Sequence, residues 1–155
     1  MLIIDGDYPM AFGAMDLNRD LTLPIEEVRK AKPDQFSVNG WPDSDTLASL
    51  PEMRHGKIAV ALAKIVARHN RIGSPLWGYR GPEVTYAAAR AQMIYYQMLE
   101  IQNQVKIIRS RLDLTNHLQL WSSTVEHSNL PVAVSYTHLR AHETRHDLVC
   151  RLLLE

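Results

Sequence analysis

The sequence has few of the features that mark disulfide-bonded, nucleic-acid-binding or membrane proteins. Cys150 is its only cysteine, which excludes a disulfide within the chain. Lys plus Arg and Asp plus Glu number 17 each, so no basic surface for nucleic acid is expected. No apolar run approaches the roughly 20 residues of a membrane helix, and the first residues lack the basic flank of a signal peptide. We therefore expect a soluble cytoplasmic protein that binds neither nucleic acid nor membranes.

The C-terminal segment 134–155 has an unusual sequence, VSYTHLRAHETRHDLVCRLLLE. It resembles the translation of one frame of a transposon-type sequencing-library adapter. Val134 to Glu143 correspond, codon by codon, to the first constant part of such an adapter. The variable index of the adapter would encode the next three to four residues, and its second constant part would encode Leu148 to Leu154. We therefore interpret 134–155 as a tail of non-natural origin and base the fold prediction on 1–133.

The tail contains one motif that would otherwise indicate zinc chemistry. His142-Glu143-Thr144-Arg145-His146 is an H-E-x-x-H, which on a helix places two histidines on one face with a glutamate as general base. A zinc site needs a third protein ligand, and Val149 and Leu152 stand where one family of such proteases has glycine and histidine. His146 also falls within the index, so we interpret the motif as a coincidence.

In the body, apolar runs alternate with helical patterns. Ala87, Ala91, Ile94, Met98 and Ile101 recur at steps of three and four, which predicts a helix with that face against a sheet. The run KIAVALAKIV is typical of a strand buried on both faces, although a helix is also compatible with it. Strands are predicted at 2–4 (buried), 57–66, 105–109 and 130–133, and helices at 24–30, 50–55 (ended by Gly56), 83–103 and 113–126 (N-capped by Asp113).

This order of strands and helices predicts the α/β class, with parallel strands and right-handed crossover helices. A complete eight-fold (β/α) barrel needs about 250 residues, roughly twice the length of the body. We therefore expect the N-terminal half of a barrel of the TIM type. On this interpretation the chain is the truncated front part of a longer protein.

Three stretches of the body resemble the membrane dipeptidase (renal dipeptidase-like) family. They are Leu2 to Gly6, Asn18 to Arg29 and Ser49 to Gly56, and their order and spacing match bacterial members. The resemblance covers nearly all of 1–133. It implies a (β/α) barrel with two zinc ions that hydrolyses dipeptides and related amides. Substrate preference and oligomeric state stay open.

The resemblance also implies where metal ligands should lie. The first two ligands of the family come from an Asp-x-His-x-Asp motif at the end of the first strand, and the matching residues here are Asp5-Gly6-Asp7-Tyr8-Pro9. Asp7 at the histidine position could bind a metal, whereas Pro9 at the second position cannot. The bridging glutamate of the family should follow the strand that begins at Leu130, where the tail interrupts. We therefore expect Asp7 to be the one remaining ligand, no zinc to be held, and the chain itself to be inactive.

Asp5 and Asp7 have other interpretations. The parent protein could be a non-catalytic dipeptidase-like barrel that has lost its metal site. A strand-terminal Asp-x-Asp is also found in phosphotransferases of the haloacid dehalogenase type, where the two carboxylates share the roles of nucleophile and acid/base. Pro9 replaces the usual threonine of that motif, and no matching lysine motif follows. Both aspartates could also simply end a strand and stabilise a turn.

The histidines and tyrosines of the body are expected to be structural. His55 should cap a helix end, and His69 and Arg71 should lie in a solvated loop. His117 and His127 are expected at the exposed surface. Tyr86, Tyr95 and Tyr96, at helical spacing, are expected to pack in the core and at its rim.

Overall fold

The computed structural model describes residues 1–31, 46–70 and 78–135. Within these ranges the elements are β1 (Ile3–Tyr8), α1 (Met10–Met15), α2 (Ile25–Lys30), α3 (Leu50–His55), β2 (Ile58–Ala63), α4 (Pro82–Ile101), β3 (Val105–Ile107), α5 (Arg111–Ser123) and β4 (Val132–Ser135). In this described part of the chain, no helix has the length and apolar character needed to cross a membrane. The class is α/β, as predicted.

The four strands form one parallel sheet in the order β1-β2-β4-β3. β2 and β4 are central, with Val60 opposite Ala133 and Leu62 opposite Ser135. This order differs from the successive order of barrel strands, because β4 lies between β2 and β3. β4 also extends to Ser135, so Val134 and Ser135, which were placed in the predicted tail, are part of the sheet.

The core lies on both faces of the central strands. Buried strand residues include Ala59, Val60 and Ala61 from β2 together with the valines of β4, as expected for a parallel sheet covered by helices. α3 contacts β2 and β4, whereas α4 contacts β3 and α1. The run KIAVALAKIV is thus a buried strand and not a helix.

β1 is an edge strand and is less buried than predicted. Ile3 and Ile4 are 43% and 61% exposed, which contradicts the prediction of a buried strand at 2–4. β1 pairs only with β2 among the described strands, and its register shifts twice along that pairing. Apolar composition identified the strand correctly but could not show that the described helices leave its side chains uncovered.

The predicted face of α4 is wrong. Thr85, Ala89, Gln92, Tyr96 and Leu99 are buried, whereas Ile94, Met98 and Ile101 are exposed. The buried face can contain polar residues because their groups are paired. The Thr85 hydroxyl donates to the Gly81 carbonyl at 2.9 Å, and both polar atoms of the Gln92 amide are bonded to the Val66 backbone.

Two helix ends also differ from the prediction. α5 is N-capped by Ser110, whose Oγ accepts a hydrogen bond from the Asp113 N–H at 3.1 Å. Asp113 lies three residues further on and accepts from the Arg109 N–H, which is close to the reciprocal pattern of a capping box. Gly56 ends α3 with φ −72°, and Lys57 adopts the left-handed conformation at φ 58°. The left-handed residue therefore follows the glycine.

Candidate functional site at the carboxyl edge of the sheet

Polar side chains collect where the parallel strands end. Asp5 lies in the middle of β1 and Asp7 one residue before its end, Lys64 directly follows β2, and Ser135 ends β4. In open α/β sheets, ligands bind in the crevice outside the carboxyl ends of the strands. This edge is therefore the candidate site, and it contains both aspartates that the sequence singled out.

Asp7 is held by an ion pair across two strands. Its Oδ2 lies 3.0 Å from the Lys64 Nζ, and the two side chains are 60% and 45% exposed. The Asp7 N–H donates to the Asp5 Oδ1 at 3.1 Å, which fixes the second carboxylate beside the first. At this exposure the pair contributes only about 0–1 kcal/mol to stability. Its main effect is local, because it places a cation directly on the carboxylate predicted to bind a metal.

Tyr8 and Pro9 anchor this end of β1. The Tyr8 hydroxyl donates to the Ala48 carbonyl at 2.8 Å, and the Lys64 N–H donates to the Tyr8 carbonyl at 3.4 Å. Burial raises the pKa of Tyr8 to about 12, so the phenol stays neutral at physiological pH. Pro9 occupies the N-cap position of α1 without a side-chain cap. A proline side chain offers no metal ligand, so this position contributes none.

The described residues do not fit a two-zinc centre. No group of three or more His, Cys, Asp or Glu side chains that could hold a metal ion occurs in residues 1–31, 46–70 and 78–135. Asp7 and Asp5 give at most two carboxylates, and the Lys64 ammonium repels a divalent ion from one of them. No reaction step that needs such ions can therefore be built on the described residues.

A half-buried polar network that the sequence did not reveal surrounds Asp16, the residue that caps the end of α1. Asp16 Oδ1 accepts from the Tyr79 hydroxyl at 2.9 Å, and its Oδ2 accepts from the Gln92 Nε2 at 3.4 Å. Burial raises the pKa of Asp16, although both hydrogen bonds act in the opposite direction. Burial and the neighbouring carboxylate raise the pKa of Tyr79 to about 12.

This network joins three segments that are distant in sequence. Gln92 connects α4 both to Asp16 and to the backbone of Val66, which follows β2. Tyr79 extends it to the segment that pairs with Arg68 to Asn70. The signal that could have found it is Gln92, which lies among apolar residues of the helix. Every carboxylate oxygen has a partner, so the network is explained by structure and needs no catalytic role.

A groove of about 460 Å³ opens between α4 and the segment after α1. Its lining combines Tyr95 and Met98 of α4 and the C-cap Gln102 with Asn18 and Arg19 of that segment, among other residues. Asp20 Oδ1 accepts from the Thr22 N–H and hydroxyl, which fixes the turn beside it. None of the lining residues is Asp5, Asp7 or Lys64, so the groove does not extend the candidate site.

The prediction that His117 is exposed is wrong. It is 5% exposed, and its Nε2 lies 2.9 Å from the Ala59 carbonyl oxygen. Burial lowers the pKa of His117. Its ring packs beside buried Trp121, and the ring of His127 also packs on Trp121, with its Nε2 3.0 Å from the Trp121 carbonyl oxygen. His127 is half-buried and lies after α5. His117 and His127 thus both pack against the buried tryptophan of α5.

Other predicted positions are confirmed or lie elsewhere. His55 ends α3 and is exposed, His69 is exposed, and Tyr96 is buried while Tyr86 and Tyr95 are half-buried, as expected for core and rim packing. Arg71, the H-E-x-x-H at 142–146 and Cys150 lie outside the described residues.

Comparisons of the chain with models of known protein families, with curated proteins and with solved structures find no match in any of the three.

Proposed function

We propose that residues 1–133 come from a hydrolase of the metal-dependent dipeptidase type, built on a (β/α) barrel, and that this chain by itself does not hydrolyse dipeptides. The observation that carries the proposal is the position of Asp7. It lies at the carboxyl edge of the first parallel strand, where the resemblance requires the first metal ligands. In barrel enzymes the catalytic groups come from this edge.

The strand arrangement supports the proposal in part. β1 and β2 are consecutive strands that pair in parallel, as the first two strands of a barrel do, and β4 pairs with β2 in the same direction. The bridging glutamate of the family is expected after the strand that begins near Leu130, and β4 is that strand. It ends beside β2, at the same edge as Asp7. β3 pairs with β4 at the other edge of the sheet, whereas the successive order of a barrel would place it between β2 and β4.

The Lys64–Asp7 pair favours a second candidate, a dipeptidase-like barrel that binds a ligand without catalysis. The ammonium neutralises the one carboxylate at a ligand position, and Pro9 removes its neighbour. Such a protein would keep the barrel and the cleft at its carboxyl edge but would hold no zinc. The two candidates share the fold and differ in whether the remaining ligands exist in the parent protein.

The proposal can be tested by restoring the ligands that it says are lost. The double variant Asp7→His/Pro9→Asp recreates the Asp-x-His-x-Asp pattern, and aspartate is a good residue at the N-cap of α1. We expect the variant to bind zinc at least tenfold more tightly than the natural sequence, measured by competition with a chromophoric chelator. Adding Lys64→Met should tighten binding further, because it removes the competing cation.

Arg111→His is the matched control, since it places histidine and Asp113 two residues apart at the start of α5, away from the sheet edge. It should leave zinc affinity unchanged. Equal zinc affinity in the natural sequence, the double variant and the control would contradict the proposal. A phosphatase activity with magnesium that requires both Asp5 and Asp7 would instead favour the haloacid dehalogenase type.

A further inference from the structure

α4 has a buried face and an exposed apolar face that lie on opposite sides of the helix. One face is buried against the rest of the chain and is centred on Ala89, Gln92 and Tyr96. At 3.6 residues per turn, the predicted apolar stripe lies roughly 180–200° around the helix from that face. We call it the α4 stripe, and it consists of Val84, Ala87, Ala91, Ile94, Met98 and Ile101.

Five of the six residues of the α4 stripe are exposed, and Ala91 is half-buried. Val84, Ile94 and Met98 are each about half exposed, Ile101 is 77% exposed, and Ala87 is also exposed. The steps between successive members are three, four, three, four and three residues. This is the a/d spacing of a coiled-coil seam, and none of the six residues at these positions is charged. A seam with this spacing fits another helix.

We propose that the α4 stripe is an interface between two copies of this chain, with the two α4 helices antiparallel about a two-fold axis. Side-chain volumes carry the argument. An antiparallel pairing centred between Ala91 and Ile94 brings Ala91 opposite Ile94, Ala87 opposite Met98, and Val84 opposite Ile101. Each layer then joins a smaller residue to a larger one, so the helices stay at an even distance along the seam.

A parallel pairing does not have this complementarity. It places Ala87 and Ala91 opposite their own copies at one end, and Ile94, Met98 and Ile101 opposite theirs at the other. In the first half of the seam the paired alanines would leave space between the helices, and in the second half the paired large side chains would push the helices apart. The antiparallel arrangement also sets the positive end of each helix dipole beside the negative end of the other, and a two-fold axis makes the contact self-complementary.

The charged neighbours of the stripe are compatible with this arrangement. Arg90 and Gln97 flank the seam on the same side, and antiparallel pairing brings Arg90 of each copy near Gln97 of the other. Glu83 lies at the end of the helix, far from Glu83 of the second copy. The nearest like charges of α4 across the seam are the two copies of Arg90, about 7–8 Å apart along the helix axis. With six layers, the interface is small, and we expect a dissociation constant on the order of 1–100 μM.

Sedimentation equilibrium of the full chain tests the interface. We expect a concentration-dependent dimer that Ile94→Glu weakens by about 100-fold or more, because two uncompensated carboxylates would enter the seam. Leu112→Glu is the matched control, since Leu112 is as exposed as the stripe residues but lies on α5. It should leave the dimer intact. Circular dichroism should show the same helix content in both variants. A monomer at 200 μM, or equal weakening by both variants, would overturn the proposal.

Cross-linking tests the helix direction, in a Cys150→Ser background. The double variant Ala87→Cys/Met98→Cys should form disulfide-linked dimers in mild oxidant, because these positions meet in the antiparallel pairing. Ala87→Cys alone should not, since the two copies of position 87 are then about 16 Å apart along the helix axis. Efficient cross-linking of the single variant would refute the antiparallel arrangement.

Discussion

Gln92 is the buried amide that connects α4 to the segment after β2, and its replacement gives the most demanding test of the packing. It is 1% exposed, its Oε1 accepts from the Val66 N–H at 2.9 Å, and its Nε2 donates to the Val66 carbonyl at 2.7 Å. Gln92→Leu keeps the volume but leaves both backbone groups unpaired. The free energy of unfolding should fall by about 2–3 kcal/mol, because two hydrogen bonds are lost and their backbone partners stay unpaired. The added apolar burial, worth about 1 kcal/mol, offsets only part of this cost.

Urea unfolding followed by circular dichroism measures this loss. Gln119→Leu is the control, because Gln119 is an exposed glutamine on α5 and its replacement should change the free energy of unfolding by less than about 0.5 kcal/mol. Gln92→Glu should be worse than Gln92→Leu at pH 7, since it adds a second carboxylate beside Asp16, and part of the loss should be recovered near pH 4. If Gln92→Leu were as stable as the control, the hydrogen-bonded role of Gln92 would be refuted.

Two further predictions concern pH. The Arg109 guanidinium and the Ile107 N–H lower the pKa of Glu100 to about 2, so its contribution to stability is present above pH 4.5 and is lost as the pH falls toward 2. At pH 7, Glu100→Gln should therefore have a lower urea midpoint of unfolding than the unsubstituted chain, and at pH 2 the two midpoints should be the same. An equal difference between the midpoints at both pH values would contradict this. Burial lowers the pKa of His117, so the natural sequence should lose stability as the pH falls below about 6.5, the pKa of an unfolded histidine. In His117→Gln, the urea midpoint of unfolding should change less between pH 7.5 and 5.5 than in the unsubstituted chain. An unchanged pH dependence of the midpoint in that variant would show that His117 is not the titrating group.

The sequence predicted the elements of the fold more reliably than their environment. KIAVALAKIV and the apolar residues after Leu130 are central strands because continuous apolar sequence suits a sheet covered on both faces. The positions of α3 and α4 also followed from local signals, which were Gly56 at the end of α3 and the three- and four-residue spacing of apolar residues in α4. These signals are local, so one segment of sequence is sufficient to read them.

Which face of a helix is buried depends on contacts that one segment does not contain. The face of α4 that contains Gln92 is buried because Asp16 and Val66 supply partners from elsewhere in the chain. His117 was expected at the surface because histidine is polar, but the Ala59 carbonyl satisfies its ring nitrogen in the interior. The strand order β1-β2-β4-β3 likewise depends on tertiary packing.

At the candidate site, the sequence located Asp5 and Asp7 at a strand end but could not identify their partner. Lys64 is 57 residues from Asp7 and reaches it only because β1 and β2 are parallel neighbours. The pair converts a possible ligand into half of an ion pair. The expectation that this chain holds no catalytic zinc therefore has a structural reason beyond the loss of the second aspartate at Pro9, and it stays a prediction.

The central proposal is tested most directly by metal content and activity in the same sample. The full chain is purified, treated with a mild chelator, reloaded with zinc and desalted, and then assayed for bound zinc and for hydrolysis of a set of dipeptides. Hydrolysis of the family type needs a water whose pKa is lowered by metal ions, so we predict zinc well below one equivalent and no turnover above buffer. Glu143→Gln is measured in parallel, because it removes the one general base that the H-E-x-x-H could supply. Stoichiometric zinc with chelator-sensitive turnover would contradict the proposal, and loss of that turnover in Glu143→Gln would assign it to the tail.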